Sequence, residues 1–318
     1  MQNRSRSKAW VTGLAAAAAA SLATLALGAA PAGAKPAVDP QTPVASDGST
    51  VAVNHSASLA GGVSGFAGTG SKGADSGVTA TANGATSGPN AGAVIGADTR
   101  FRINPTTGFP NRATVLITFT GGRCTGWLFD DNTVATAGHC VHSGGSGGAW
   151  RSGFTIYPGY NGSSGAPYGS CGWTTAYSVT GWTVDGNEEY DYGAIKLNCT
   201  IGNTVGWYGY WWQSASLTGL STTIYGYPGD KPLEQWGSTG SVAADGTRKV
   251  FYQNDTAAGD SGAPVHQFRS SGSSFCTGYC TMGIHAYAPH GSGSSATNNS
   301  ATRITEGVFN NLQAWAAA

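Results

Sequence analysis

Charge is scarce in this sequence. Only 10% of its 318 residues are Asp, Glu, Lys or Arg, and the 16 basic and 16 acidic side chains cancel. A chain with no basic excess lacks the electrostatic footprint that nucleic acid requires, so nucleic-acid partners are set aside. Glu is rarer still: Glu188, Glu189, Glu234 and Glu306 are the only four, against twelve Asp. Heptads, collagen-like triplets and repeated membrane-length apolar runs are missing, which sets aside coiled coils, fibres and multispan membrane proteins. What is plentiful is Gly, at 50 residues, with 10 Trp and 13 Tyr, too aromatic a composition for a chain disordered throughout.

Arg4, Arg6 and Lys8 precede an apolar run from Trp10 to Ala30, and Ala32-Gly33-Ala34 follows. A basic start, an apolar middle and an A-x-A end read as a secretory signal peptide over residues 1–34. A membrane anchor fits less well, because the run is rich in Ala and no basic stop-transfer cluster follows. The chain is therefore expected to be secreted, with no membrane attachment. Residues 35–93 contain no Cys, Trp, Tyr or Glu and a single aromatic, Phe66. Such a stretch has little to bury against its chain entropy and is expected to be a flexible, low-complexity pro-segment. All six Cys, all 13 Tyr and nine of the ten Trp lie beyond position 123, so a compact domain is expected over residues 94–318.

Six cysteines in an exported chain read as three disulfides, with about fifteen possible connectivities. Nearest-neighbour pairing gives Cys124–Cys140, Cys171–Cys199 and Cys276–Cys280. His139-Cys140-Val141-His142 could be taken for a metal-binding run, but an oxidising medium favours the disulfide, and neither metal nor cofactor is expected. Short β-branched and aromatic runs recur between Gly, Pro, Asn and Asp, among them Ala113–Thr120, Thr133–Thr136, Tyr192–Leu197, Thr222–Gly226, Lys249–Gln253 and Tyr279–His285. Their spacing predicts an all-β barrel-type domain. Only Glu306–Ala317 has helical periodicity, with Val308, Phe309, Leu312 and Trp315 on one face.

Three segments carry chemistry. Thr136-Ala137-Gly138-His139-Cys140 follows an apolar strand, Tyr190-Asp191-Tyr192-Gly193-Ala194-Ile195 puts an acid at the head of another, and Gly259-Asp260-Ser261-Gly262-Ala263-Pro264 surrounds a serine with small residues. A serine hydroxyl needs an adjacent base, and an imidazole supplies one. The imidazole needs a buried carboxylate to fix its tautomer and to stabilise its developing charge. Small residues around Ser261 let the amides of Gly259 and Ser261 face a developing oxyanion. Alone, each piece is an ordinary turn or strand residue; together, in the order His139, Asp191, Ser261, they point to a catalytic triad. Gly144-Gly145-Ser146-Gly147-Gly148 also fits a nucleophile elbow, but Gly and Ser on both sides make it a loop.

On these motifs the chain resembles the chymotrypsin-like serine proteases, and among them the bacterial glutamyl endopeptidase branch. The resemblance extends through Val94-Ile95-Gly96, Cys124-Thr125-Gly126-Trp127, Gly226-Tyr227-Pro228-Gly229-Asp230-Lys231 and Thr302-Arg303-Ile304-Thr305, covering 94–318. It implies two six-stranded antiparallel barrels with the triad between them, and a cofactor-free monomeric endopeptidase acting on proteins or peptides through an acyl-enzyme. It also implies a pocket in which Thr256 and His285 hold the carboxylate of a Glu side chain, Asp being accepted less well. A Thr hydroxyl and an imidazole N–H can both donate to a carboxylate, and a protonated His would add charge. Asp255, the sixth residue before Ser261, does not match the acid of a basic-residue protease, because the motif directs Thr256 to the pocket.

Two rivals stand beside this reading. The pocket could favour another side chain, or the fold could be a non-catalytic binder using Trp207-Tyr208-Gly209-Tyr210-Trp211-Trp212 to stack on sugars. Residues 1–187 contain no Glu, so an enzyme strict for Glu cannot release its own pro-segment near Ala93; an activating protease, or a relaxed secondary cleavage, is expected to do so. A new α-amino group at Val94 or Ala93 could pair with Asp260 or join Thr256 and His285 at the substrate carboxylate.

Overall fold

Half-buried strands of four to ten residues must roll up or stack to hide their apolar faces, and here they form one closed six-stranded barrel and a second rolled sheet. A computed structural model of the chain describes residues 38–53, 63–66, 68, 93–270 and 276–318. The expected signal peptide and much of the expected pro-segment lie outside the described residues. Three short strands come first: β1 (Pro43–Ala45), β2 (Val63–Phe66) and β3 (Phe101–Arg102). The first barrel follows with β4 (Thr114–Phe119), β5 (Gly122–Leu128), β6 (Thr133–Thr136), β7 (Thr155–Pro158), β8 (Trp173–Val179) and β9 (Gly193–Leu197). They hydrogen-bond in the order β8-β9-β6-β5-β4-β7, and an isolated bridge between Ile156 and Cys171, just before β8, brings the two ends of this rolled sheet together.

The second half contains β10 (Gly209–Gln213), β11 (Ser221–Gly226), β12 (Trp236–Asp245), β13 (Lys249–Tyr252), β14 (Pro264–Arg269), β15 (Gly278–Tyr287) and β16 (Asn299–Arg303). The order β14-β11-β12-β13-β16-β15 closes where β14 pairs back onto β15. β10 runs parallel to β15 at the rim, and β3 lies beside β12. Val115, Ile117, Val134, Ile156 and Ile195 fill the first barrel; Ile224, Val242, Val250, Val265 and Met282 fill the second. A third cluster joins Trp127 and Ala135 of the first half to Ile284 and Ile304 of the second. The helix Glu306–Ala317 packs Phe309, Leu312 and Trp315 onto that cluster, its first turn capped by Thr305 accepting from the Val308 amide.

The three disulfides are those of nearest-neighbour pairing, and Cys124–Cys140 ties β5 to the turn that carries His139. Tyr208, Tyr210, Trp211 and Trp212 are buried and Trp207 is half-buried, so most of the aromatic run is packed into the interior. His266, which like His290 sits in no motif and reads from the sequence alone as a surface residue, is only 1% exposed. Tyr208, Tyr225 and Tyr279 surround its ring, and burial lowers its pKa to about 4. Residues 43–45 and 63–66 differ from the flexible stretch expected there: β1 pairs antiparallel with β8, and β2 with β10. Small β-branched and Pro residues supply backbone hydrogen bonds even where they bring little apolar surface.

Candidate active site

β6 ends at Thr136, and Gly138–Val141 makes one helical turn that presents His139. Gly138 is required here for close approach, since a Cβ would lie 2.8 Å from Asp191 Oδ1. The gap lets the Asp191 carboxylate meet His139 twice. The His139 amide donates to Oδ1 at 2.7 Å, and ring Nδ1 lies 2.7 Å from Oδ2. Arg151 Nε donates to the His139 carbonyl at 2.8 Å, fixing the turn from outside. Asp191 is fully buried, and its own carbonyl accepts from Thr302 Oγ1 at 2.9 Å. Trp182 and Tyr287 flank the imidazole, with ring centroids 6.4 and 6.0 Å away.

The electrostatics of the pair follow from this geometry. Burial alone would raise the Asp191 pKa, but the charge of His139 and the hydrogen bonds from His139 and Tyr287 outweigh it and hold the carboxylate below its usual range. Burial alone would likewise lower His139, yet the Asp191 charge beneath it leaves the imidazole above its ordinary value. The Tyr287 hydroxyl, pushed upward by burial and by Asp191, remains a donor. Tyr287 was not among the residues singled out in the sequence, and Thr302 stood out only as part of the Thr302–Thr305 resemblance; they reach Asp191 from β15 and β16, and local spacing carries no sign of that contact.

Ser261 sits half-buried in the loop between β13 and β14. Its carbonyl accepts from the Thr125 amide at 2.9 Å and lies 3.7 Å from Cys140 Sγ, beside the His139 turn. Gly262, at φ +89°, fits against the same turn: a Cβ there would stand 2.1 Å from Thr136 Oγ1 and 2.9 Å from the Ala137 nitrogen. Gly259 holds φ +104°, with the Tyr227 carbonyl 2.5 Å from where a Cβ would stand. Among the described residues, no backbone carbonyl accepts from the Gly259 or Ser261 amides, whereas the intervening Asp260 amide donates to Ala257 at 3.0 Å. Two unused N–H groups thus flank a used one. The Asp260 carboxyl is buried, which raises its pKa to about 7, and its Oδ2 accepts from the Ala257 amide at 2.9 Å.

The two pocket candidates flank this loop. The His285 amide donates to the Ala263 carbonyl at 2.9 Å, and its carbonyl accepts from Gly262 at 2.7 Å, so β15 is registered directly on the serine loop. The His285 ring is buried, Nδ1 lies 2.7 Å from the Tyr252 hydroxyl, and burial with the nearby His139 charge lowers its pKa to about 3. With no carboxylate beside it, the ring is therefore held in its neutral form. Thr256 is fully buried, and its Oγ1 has no hydrogen-bond partner among the described residues. Asp255 is occupied: Oδ1 accepts from the Ile95 amide at 2.9 Å, and Oδ2 from the amide and hydroxyl of Thr99, each at 2.7 Å. The Ala93 carbonyl lies close by, accepting from Asn299 Nδ2 at 2.7 Å and the Thr256 amide at 3.3 Å.

Comparison with known proteins gives a consistent result. The chain matches the family described as Trypsin over residues 103–308. It is 45% identical over 223 residues to the glutamyl endopeptidase of Bacillus licheniformis, covering 70% of this chain and 68% of that protein. A Bacillus subtilis protein named extracellular metalloprotease is 46% identical over 231 residues, covering 70% and 69%. Among solved structures, a Glu endopeptidase in complex with MPD superposes with a TM-score of 0.62 at 32% identity, covering 71% of this chain and all of that one. Among the described residues, the one cluster with ligand-like spacing is Cys124, His139 and Cys140, and both sulfurs are joined in a disulfide.

Proposed function

Because this chain belongs to the trypsin family of serine proteases, in its glutamyl endopeptidase branch, we propose that it is a secreted endopeptidase that cleaves after Glu through His139, Asp191 and Ser261. In this mechanism Ser261 Oγ attacks the scissile carbonyl as His139 Nε2 takes its proton. Asp191, bound to Nδ1, holds the tautomer that leaves Nε2 free and stabilises the imidazolium that forms. The Gly259 and Ser261 amides receive the oxyanion. The imidazolium then returns its proton to the leaving amine, and a water molecule repeats the sequence on the acyl-enzyme.

One observation carries the specificity. A fully buried hydroxyl without a partner, Thr256 Oγ1, costs about 1–3 kcal/mol unless something accepts from it, and a Glu carboxylate beside Ser261 would do so. His285 would supply the second donor. Tyr252 has its one hydroxyl proton to place on Nδ1, which leaves the His285 ring hydrogen on Nε2. A pocket for basic side chains is less well supported, since both oxygens of Asp255 serve the 95–99 segment. Thr256→Val is expected to lower kcat/KM on a Glu peptide by about 10–100-fold, the worth of a hydrogen bond to a charged group. Tyr252→Phe should lower it by about 3–10-fold. Gln peptides should change little in either variant. An equal loss on Glu and Gln would count against the pocket.

The relative named an extracellular protease supports export, and the absence of Glu before position 188 supports maturation by a second protease. Pure precursor should therefore stay uncut near Ala93 until another protease is added, as read by intact mass. Spontaneous cutting that Ser261→Ala blocks would contradict this. The place of the Ala93 carbonyl beside Thr256 favours a new terminus at the substrate carboxylate over one paired with Asp260.

A further inference from the structure

We propose that residues 38–53 are a lasting part of the folded enzyme: once the chain is cut near Ala93, this segment stays on the domain as a second, non-covalently held chain. The proposal rests on the cleavage proposed above and is independent of which bond the enzyme cuts in its substrates.

β8 joins the first barrel through β9 on one side, and over Tyr177–Val179 its other side is covered by β1, with Pro43 opposite Val179, Val44 opposite Ser178 and Ala45 opposite Tyr177. Without β1 that edge would present unpaired backbone groups to solvent. The pairing is extended at both ends. The Ser46 amide donates to the Ala176 carbonyl at 2.8 Å, Ser46 Oγ accepts from the Ala176 amide at 2.9 Å, and Asp47 Oδ2 accepts from Thr175 Oγ1 at 3.0 Å. At the other end, the carbonyls of Thr42 and Pro40 accept from the amides of Thr180 and Gly181 at 3.0 and 2.9 Å, and that of Asp39 accepts from Thr180 Oγ1 at 2.8 Å.

The deepest anchor is Gln41. Its side-chain oxygen accepts from the buried Tyr192 hydroxyl, which itself accepts from Asn311 Nδ2 at 2.7 Å, and its carbonyl accepts from the same Nδ2 at 2.9 Å. Gly307 leaves the room for it, since a Cβ there would stand 2.9 Å from Gln41 Cδ. If the segment left, the Tyr192 proton would lose its acceptor in a buried site, a penalty of the kind that keeps buried polar groups paired. Tyr192 adjoins Asp191, and the Thr180–Thr183 turn carries Trp182, which faces His139. The segment thus braces the His139–Asp191 pair from behind. Among the described residues, its hydrogen bonds reach none of Ser261, Thr256 or His285, so its retention is compatible with substrate binding.

The test uses the full chain with Ser261→Ala, to prevent self-digestion, and with a recognition site for an added site-specific protease inserted just before Ala93. After cutting, size-exclusion chromatography at micromolar concentration is followed by denaturing mass spectrometry of the domain peak. The expected result is both fragments in that peak. Gln41→Ala with Asp47→Ala, which removes two side-chain anchors, should raise the released fraction at least tenfold. A folded domain eluting without its N-terminal fragment would overturn the proposal, and so would a double variant that holds the fragment as tightly as the parent. No activity is read, so the outcome does not depend on the Glu preference.

Discussion

Ser261→Ala is expected to lower kcat by roughly 10^6-fold while leaving the fold intact. Both halves of that expectation have a physical source. The backbone of the serine loop is fixed by bonds that do not involve the hydroxyl, namely Thr125 N–H to the Ser261 carbonyl and Gly262 N–H to the His285 carbonyl. Removing Oγ therefore takes away the nucleophile and leaves the loop in place. Residual turnover should remain above the uncatalysed rate, because the amides of Gly259 and Ser261 and the pocket can still bind substrate and polarise its carbonyl. The check is kcat on a Glu peptide, with far-ultraviolet circular dichroism and Tm measured on the same sample. Activity within tenfold of the parent would remove Ser261 from the mechanism and revive the non-catalytic reading.

Asp191→Asn comes second, with an expected loss of about 10^4-fold in kcat at neutral pH. Asp191 meets the His139 turn through two acceptors, Oδ1 for the amide and Oδ2 for the ring. An Asn can offer only one oxygen, so its NH2 must face either the amide or Nδ1. Facing Nδ1, it would make that nitrogen an acceptor and move the ring hydrogen to Nε2, where the base is needed. The variant also predicts a pH shift. His139 acts as a base only when neutral, and Asp191 raises its pKa, so kcat/KM in the parent should fall as pH drops through a value above that of an ordinary imidazole. Without the carboxylate the stabilisation of the protonated ring is lost, and the acidic limb of the variant's small remaining activity should move to lower pH. A limb that stays in place would mean that another group sets it.

The sequence carried the chemistry further than the packing. The His139, Asp191 and Ser261 segments were recognisable because each has a local composition imposed by close approach: Gly138 against Asp191, Gly193 against Tyr177, and Gly259 and Gly262 against Tyr227 and Thr136. The C-terminal helix was readable from one apolar face and matches Glu306–Ala317. Tyr252 and Tyr287 were not, because their roles depend on cross-strand register around the second barrel. His266 looked like a surface residue because a single buried histidine, boxed by Tyr225 of β11, Tyr279 of β15 and Tyr208 just before β10, leaves no periodic trace. The attachment of residues 38–53 escaped for another reason. Its composition argues correctly that little apolar surface is buried, but the backbone of an edge strand pairs whatever its side chains are.

The central claim is a serine protease whose pocket reads a carboxylate with two hydrogen-bond donors. Its most direct test is kcat/KM for mature enzyme on matched peptides differing only before the scissile bond, with Glu, Gln, Asp, Phe and Arg in turn, beside His285→Ala. The account predicts a Glu preference over Gln that collapses in the variant, with Asp cleaved less well than Glu. Preference for Phe or Arg, or a Glu preference untouched by His285→Ala, would contradict it.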